Sequence, residues 1–188
     1  MPNILLTGPA AEPLALADAK NFLRVEHDAD DDLIAALIAA ARIQVETETH
    51  RALMTQTWRL TFNRWAQSGR IDIRPAPLRS LVAARVYDSA GVAHMVDLQA
   101  FVVDTASATL AFAPWSLMQP GRAFAGIEID VSVGFGDADD VPAPLRQAMR
   151  LLVAHWYENR RIAASGGEAA ILPATVASLI APYRMMSL

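Results

Sequence analysis

The apolar residues of this chain change period twice, and the changes divide it into three zones. In the first zone they recur at helical spacing. Residues 16–25, LADAKNFLRV, place Leu16, Ala19, Phe22 and Leu23 on one face, and Arg24 closes the helix. The acidic stretch EHDADDD then leads into a second helix over about residues 30–50, whose Asp-rich start suits the positive end of the helix dipole. Counted at the helical angle from Leu33, the positions Leu33, Leu37, Ala40, Ala41 and Gln44 form a stripe. Ile34, Ile38 and Val45 widen it, and Ala36, Ala39 and Ile43 lie on the other side. A helix that is apolar nearly all round is covered on more than one side. Either it is a central core helix, or one of its covers belongs to another subunit. On the second reading the candidate interface residues are Ile34, Ile38, Ala39 and Ile43.

Between residues 55 and 133 the period shortens to two. TQTWRLTF, RIDIR, VAARVYD, AHMVDL, FVVDT, TLAFA and GIEIDVSVGF read as short strands separated by Gly, Pro, Ser and Asp turn signals. Helical spacing returns after VPAP, where Pro144 fits a first turn. Leu145, Met149, Leu152, Val153 and Trp156 make one stripe, with Tyr157 at its margin, and Trp156 and Tyr157 are expected to anchor the last turn. AASGGEAA reads as a flexible loop. Pro173 opens a short helix and Pro182 ends it. The prediction is an α+β protein: a bundle of N- and C-terminal helices with an inserted antiparallel sheet or sandwich. Its parts are helices in 1–54, the β insert in 55–136, helices in 137–182, and a tail, 183–188.

Composition narrows the function classes. The chain has 188 residues, 53% of them hydrophobic and 19% charged, as expected of a folded protein with a sizeable core. The longest unbroken apolar run, Leu33 to Ala41, is nine residues, too short to span a bilayer, so no membrane partner is expected. The start MPNILLTGPAAEP lacks the basic opening of a signal peptide. There is no cysteine, which removes disulfides, thiolate nucleophiles and Cys-based zinc sites. A net charge of −4 without any Lys/Arg run does not favour gripping DNA phosphates.

Candidate chemistry is sparse. His155 and Glu158 are one turn apart, a spacing suited to two metal ligands or to a base with its orienting carboxylate. Either role needs partners, and His27, His50 and His94 fall on a linker, a helix end and a strand. DADDD lacks the glycine and glutamate that an EF-hand loop starting at Asp28 requires, because Leu33 and Ala39 occupy those positions. GFGD at 134–137 leads into acids and proline rather than a phosphate-cradling helix. No catalytic residue, metal site or cofactor is expected.

Taken together, four stretches carry a family likeness: LADAKNFLRVEHDADDDLIAALIAAA at 16–41, RALMTQTWRL at 51–60, VPAPLRQAMRLLVAHWYENR at 141–160 and LPATVASLIAPYR at 172–184. In this order the chain resembles the long form of the phage head–tail connector proteins, the adaptors of tailed-phage and gene-transfer-agent necks. The resemblance implies a structural protein, not an enzyme, assembled in the bacterial cytoplasm and resident in the neck of a virion or phage-like particle. Such adaptors form a ring, usually of twelve copies, beneath the portal protein. The ring extends the DNA channel without binding DNA specifically, and it offers a platform to the next neck protein, the stopper. The C-terminal segment of relatives reaches into the portal, which here implies a docking tail of Tyr183, Arg184, Met185, Met186, Ser187 and Leu188. Two other readings stand beside it. One is a small metal-dependent or ligand-binding enzyme using His155 and Glu158, and the other is a different neck or tail-completion protein.

Overall fold

The computed structural model describes residues 3–159 and 172–185, which form an α+β protein of two compact units. One unit holds Met1–Pro9 and Thr55–Phe135, and the other holds Ala10–Met54 and Gly136–Leu188. The expected fold class holds. The AASGGEAA segment lies outside the described residues.

The β unit contains β1 (Asn3–Thr7), β2 (Gln56–Phe62), β3 (Arg70–Asp72), β4 (Leu78–Tyr87), β5 (Ala93–Met95), β6 (Phe101–Asp104), β7 (Thr109–Phe112) and β8 (Ile127–Val133). A five-stranded antiparallel sheet runs β1-β2-β8-β4-β5, and a smaller sheet runs β3-β7-β6. β1 is a departure from the pattern reading, which placed residues 1–54 with the helices. NILLT is exposed along its whole length and pairs with β2 at the sheet edge, so it shows none of the in/out alternation by which strands are recognised.

β8 is the central strand and shows why the larger sheet forms here. Ile127, Ile129, Val131 and Val133 are buried on one face, while Glu128, Asp130 and Ser132 occupy the other. Trp65, Phe101 and Phe112 form a tilted aromatic cluster with centroids 5.1–5.9 Å apart, joining the chain after β2 to the two strands of the residues 101–112 hairpin. Between β3 and β4 the Arg74–Pro75 and Ala76–Pro77 peptide bonds are both cis.

The helical unit contains α1 (Leu16–Leu23), α2 (Asp31–Thr49), α3 (Ala143–Glu158) and α4 (Ala174–Ile180), the last followed by a 3-10 turn at Ala181–Tyr183. α2 packs against α1, α3 and α4. α1 stops where Arg24 turns left-handed, at φ 57°, and its N–H returns to the carbonyls of Asn21 and Lys20. Leu145, Ala148, Met149, Leu152 and Val153 of α3 are buried, close to the stripe read from the sequence, while Trp156 is only half-buried.

On α2 the inward stripe is Ile34, Ile38, Ala41, Val45 and Thr49, rotated from the one expected. Leu33 and Ala40 are exposed. The expectation that Ile34, Ile38, Ala39 and Ile43 all face a neighbour is therefore corrected. Ile34 and Ile38 are core residues, Ala39 is half-buried, and Ile43 is 54% exposed. The reason is that an all-round apolar helix does not encode which face turns inward. The face left open is a stripe of Leu33, Ala36, Ala40 and Ile43.

Candidate assembly surfaces

In the helical unit the polar side chains act as straps. The ammonium of Lys20 bridges Asp28 at 2.7 Å and Asp31 at 2.6 Å, so two acids of the DADDD stretch hold α1 to the start of α2. The hydrogen bonds that it donates to Asp28 and Asp31 push the lysine up, and the same lysine holds the Asp28 carboxyl down. Arg42 donates to Glu12 at 2.8 Å and to Glu46 at 2.9 Å, and Glu46 also accepts from the Leu53 backbone N–H.

The end of α3 is tied rather than open. The Tyr157 hydroxyl donates to Asp30 at 2.5 Å, a short charge-assisted bond joining the last turn of α3 to the first of α2. Tyr157→Phe should cost about 1–2 kcal/mol in urea unfolding, because it removes a bond to a charged acceptor. An unchanged midpoint would show that the bond adds nothing. Tyr157 thus supplies a strap, and Trp156 is its half-buried neighbour in the chain. Among the described residues His155 and Glu158 meet no third ligand: Glu158 is exposed, and the His155 ring stands near the Asn159 amide at 3.4 Å. Among the described residues no three His, Asp or Glu side chains are grouped to hold a metal, and no helix is long and apolar enough to cross a membrane.

Half of the expected docking tail is fastened to its own unit. Arg51 Nε donates to the Tyr183 carbonyl at 2.7 Å, Arg184 pairs with Glu48, and the Met185 N–H reaches the Thr49 carbonyl at 3.3 Å. Val176 and Ile180, buried one turn earlier, seat α4. The C-terminal segment is therefore led to the end of α2. Met186, Ser187 and Leu188 lie outside the described residues.

The β unit exposes far more apolar surface. Trp115 is 86% exposed and Phe124 is 78% exposed, both on the connection between β7 and β8. That connection is well fixed. Trp65 Nε1 donates to the Met118 carbonyl at 2.9 Å, the Gly121 N–H to the Tyr87 carbonyl at 2.8 Å, and the Ala125 N–H to Asn63 Oδ1 at 3.0 Å. A Cβ on Gly121 would lie 2.2 Å from the Ser89 nitrogen, so only glycine fits that approach. Two large aromatics held out on a fixed loop have the character of interface anchors. The sequence signal was present in APWSLMQPGRAFAG, a Pro/Gly loop with two aromatics, but loop pattern alone does not report exposure.

On the polar face of the larger sheet, Asp130 is gripped by three guanidinium bonds. Arg59 donates at 2.7 and 2.9 Å and Arg85 at 2.7 Å, while Glu128 lies 3.2 Å from Arg59. Burial pushes the Asp130 carboxyl up, but the bonds from Arg59 and Arg85 outweigh it and hold it below the usual carboxylate range.

Straps within the helical unit and a fixed loop with two exposed aromatics in the β unit are the marked surface features of the chain. Residues 14–90 match the family model described as phage gp6-like head-tail connector protein. The fold extends the likeness to the full length. A solved structure of the neck of an empty GTA particle, computed with C6 symmetry, is 28% identical; the match covers 100% of this chain and 97% of that one with a TM-score of 0.81. A chain from the virion of a native gene transfer agent particle is 27% identical over the same shares, also at 0.81. A chain from the neck of a native GTA particle computed with C12 symmetry is 28% identical, again covering 100% and 97%, at 0.74. No curated protein matches the chain.

Proposed function

We propose that this protein is the adaptor of a phage or gene-transfer-agent neck. Copies of it form a ring, of twelve subunits, beneath a portal protein; the ring carries the stopper on its other side and surrounds the DNA channel. The observation that carries this reading is the full-length similarity, at both ends of the chain, to subunits of gene-transfer-agent necks. The ring and the neck location follow from those relatives. The roles of portal, stopper and DNA are the reading's own extension. The protein does no catalysis on this view; the matched family and solved relatives are structural neck components. The acidic balance, −4 overall, lets DNA pass without being held by a run of cations.

The C-terminal segment is the portal-docking element. Tyr183, Arg184 and Met185 set its direction through their ties to α2, and Met186, Ser187 and Leu188 supply the adaptable apolar end that suits an uneven groove. Removing 183–188 would also cut those ties, so the cleaner test removes 186–188 only. The truncated protein is expected to keep its thermal midpoint and to bind purified portal on the order of thirtyfold more weakly, the loss of one interface hot spot. DNA-filled heads without tails should accumulate. Normal tailed particles from the truncated chain would overturn the docking assignment.

A further inference from the structure

We infer that the two free edges of the five-stranded sheet, β1 and β5, meet each other between neighbouring copies and form a seam of the ring. The inference rests on the ring reading above and deepens it by naming where copies join.

β1 and β5 are the end strands of the sheet, and every residue of both is exposed. Neither strand carries Lys, Arg, Asp or Glu: the edges read NILLT and AHM, with His94 Nε2 turned 2.8 Å from Asp88 Oδ2. Natural proteins guard such edges with charge, proline or distortion, because unpaired N–H and C=O groups recruit another strand. The single irregularity of β1 lies between Leu5 and Thr7, which leaves Asn3, Ile4 and Leu5 in regular pairing. Setting Asn3 beside His94 and Ile4 beside Met95 keeps the side chains of each new pair on one face.

The faces agree as well. Ile4 lies directly opposite Arg59, and Met95 directly opposite Arg85. Both arginines bond Asp130, so Ile4 and Met95 are on the same face of the sheet, at its two ends. Joining β5 of one copy to β1 of the next brings these two exposed apolar side chains together. Direction follows from parity. Five strands, each antiparallel to the next, leave the two edges running the same way, so a head-to-tail join makes a parallel pair. A two-fold join would instead put β1 against β1. Cyclic rings are built from heterologous contacts, in which each copy shows one surface forward and a different one back. The two edges are such a pair, and the similar neck chains come from particles treated with six- and twelve-fold cyclic symmetry.

The absence of cysteine makes the seam directly testable. The full-length variant Ile4→Cys/Met95→Cys, assembled into neck-bearing particles and treated with a short bis-maleimide, should give a ladder of covalent multimers well beyond the dimer. Each single variant should give none. A dimer from Ile4→Cys alone would show a two-fold join and overturn the seam, as would assembled rings of the double variant that fail to cross-link. In parallel, Ile4→Lys and Met95→Lys should each lower ring yield at least tenfold with an unchanged thermal midpoint, and Ile4→Lys combined with Met95→Glu should restore it. Normal yield from the single variants, or no rescue by the pair, also overturns the proposal. These outcomes are separable from failure of the adaptor reading, in which the unsubstituted chain forms no ring and leaves particle completion unaffected.

Discussion

Replacing Asp130 by Asn should destabilise the β unit by about 2–4 kcal/mol, the range for removing one partner from a largely desolvated ion pair. The Asp130 side chain is 5% exposed and takes three guanidinium bonds, whereas Arg59 and Arg85 retain about a quarter of their exposure. Asn keeps the shape and loses the charge. Two cations then face each other with Glu128 as their remaining acid, and because they are partly wet they recover some hydration, which keeps the cost below that of a fully buried pair. The same carboxylate should dominate the acid limb of stability. Its folded value is lowered relative to the unfolded chain, so its contribution is complete above the unfolded carboxylate range, near pH 4, and is lost as pH falls through the folded value. Urea midpoints of the wild type should therefore drop steeply below about pH 4, and those of Asp130→Asn should drop less. Parallel acid limbs for the two proteins would show that the cluster does not supply this stability.

The second large effect separates the two faces of α2. Ile38→Ala should cost about 2–5 kcal/mol, because a buried isoleucine leaves a cavity that the packed neighbours only partly fill, and Ile38 is 2% exposed. Ile43→Ala should stay within about 0.5 kcal/mol in the isolated chain, as an exposed substitution. If the open stripe of Leu33, Ala36, Ala40 and Ile43 touches a neighbouring copy, Ile43→Asp should reduce ring yield while leaving the melting curve of the free subunit in place. Equal destabilisation by Ile38→Ala and Ile43→Ala would contradict the orientation of the helix. Denaturant curves on the free subunit, followed by particle yield, check both halves.

The contrast between α3 and α2 explains what was legible in the sequence. In α3 the apolar residues occupy one stripe and polar residues the rest, so Leu145, Met149, Leu152 and Val153 could be assigned to the core from spacing alone. α2 offers apolar residues in every direction. Its inward face is chosen by α1, α3 and α4, which no local pattern records. β1 failed for a related reason: an edge strand exposed throughout carries no alternation. The strands from 55 to 133 were readable through their period of two and their turn residues. Their register was not. The Asp130 cluster depends on register, since Arg59 is 71 positions away and Arg85 is 45. The tail residues were named through family likeness, and their ties to Glu48, Thr49 and Arg51 became visible only in three dimensions.

The order of strands in the larger sheet has a consequence for biosynthesis. β8 lies at its centre yet comes last of its five strands in the chain, and the helical unit waits still longer for α3. A nascent chain halted before β8 has two edge-bearing fragments with nothing between them, and one halted before α3 leaves α2 without its main cover. Distant pairings of this kind are slow because loop closure precedes any gain from contact. Both units therefore mature only after these late elements have been made, and products terminated before them should be cleared by proteolysis instead of occupying places in a growing particle.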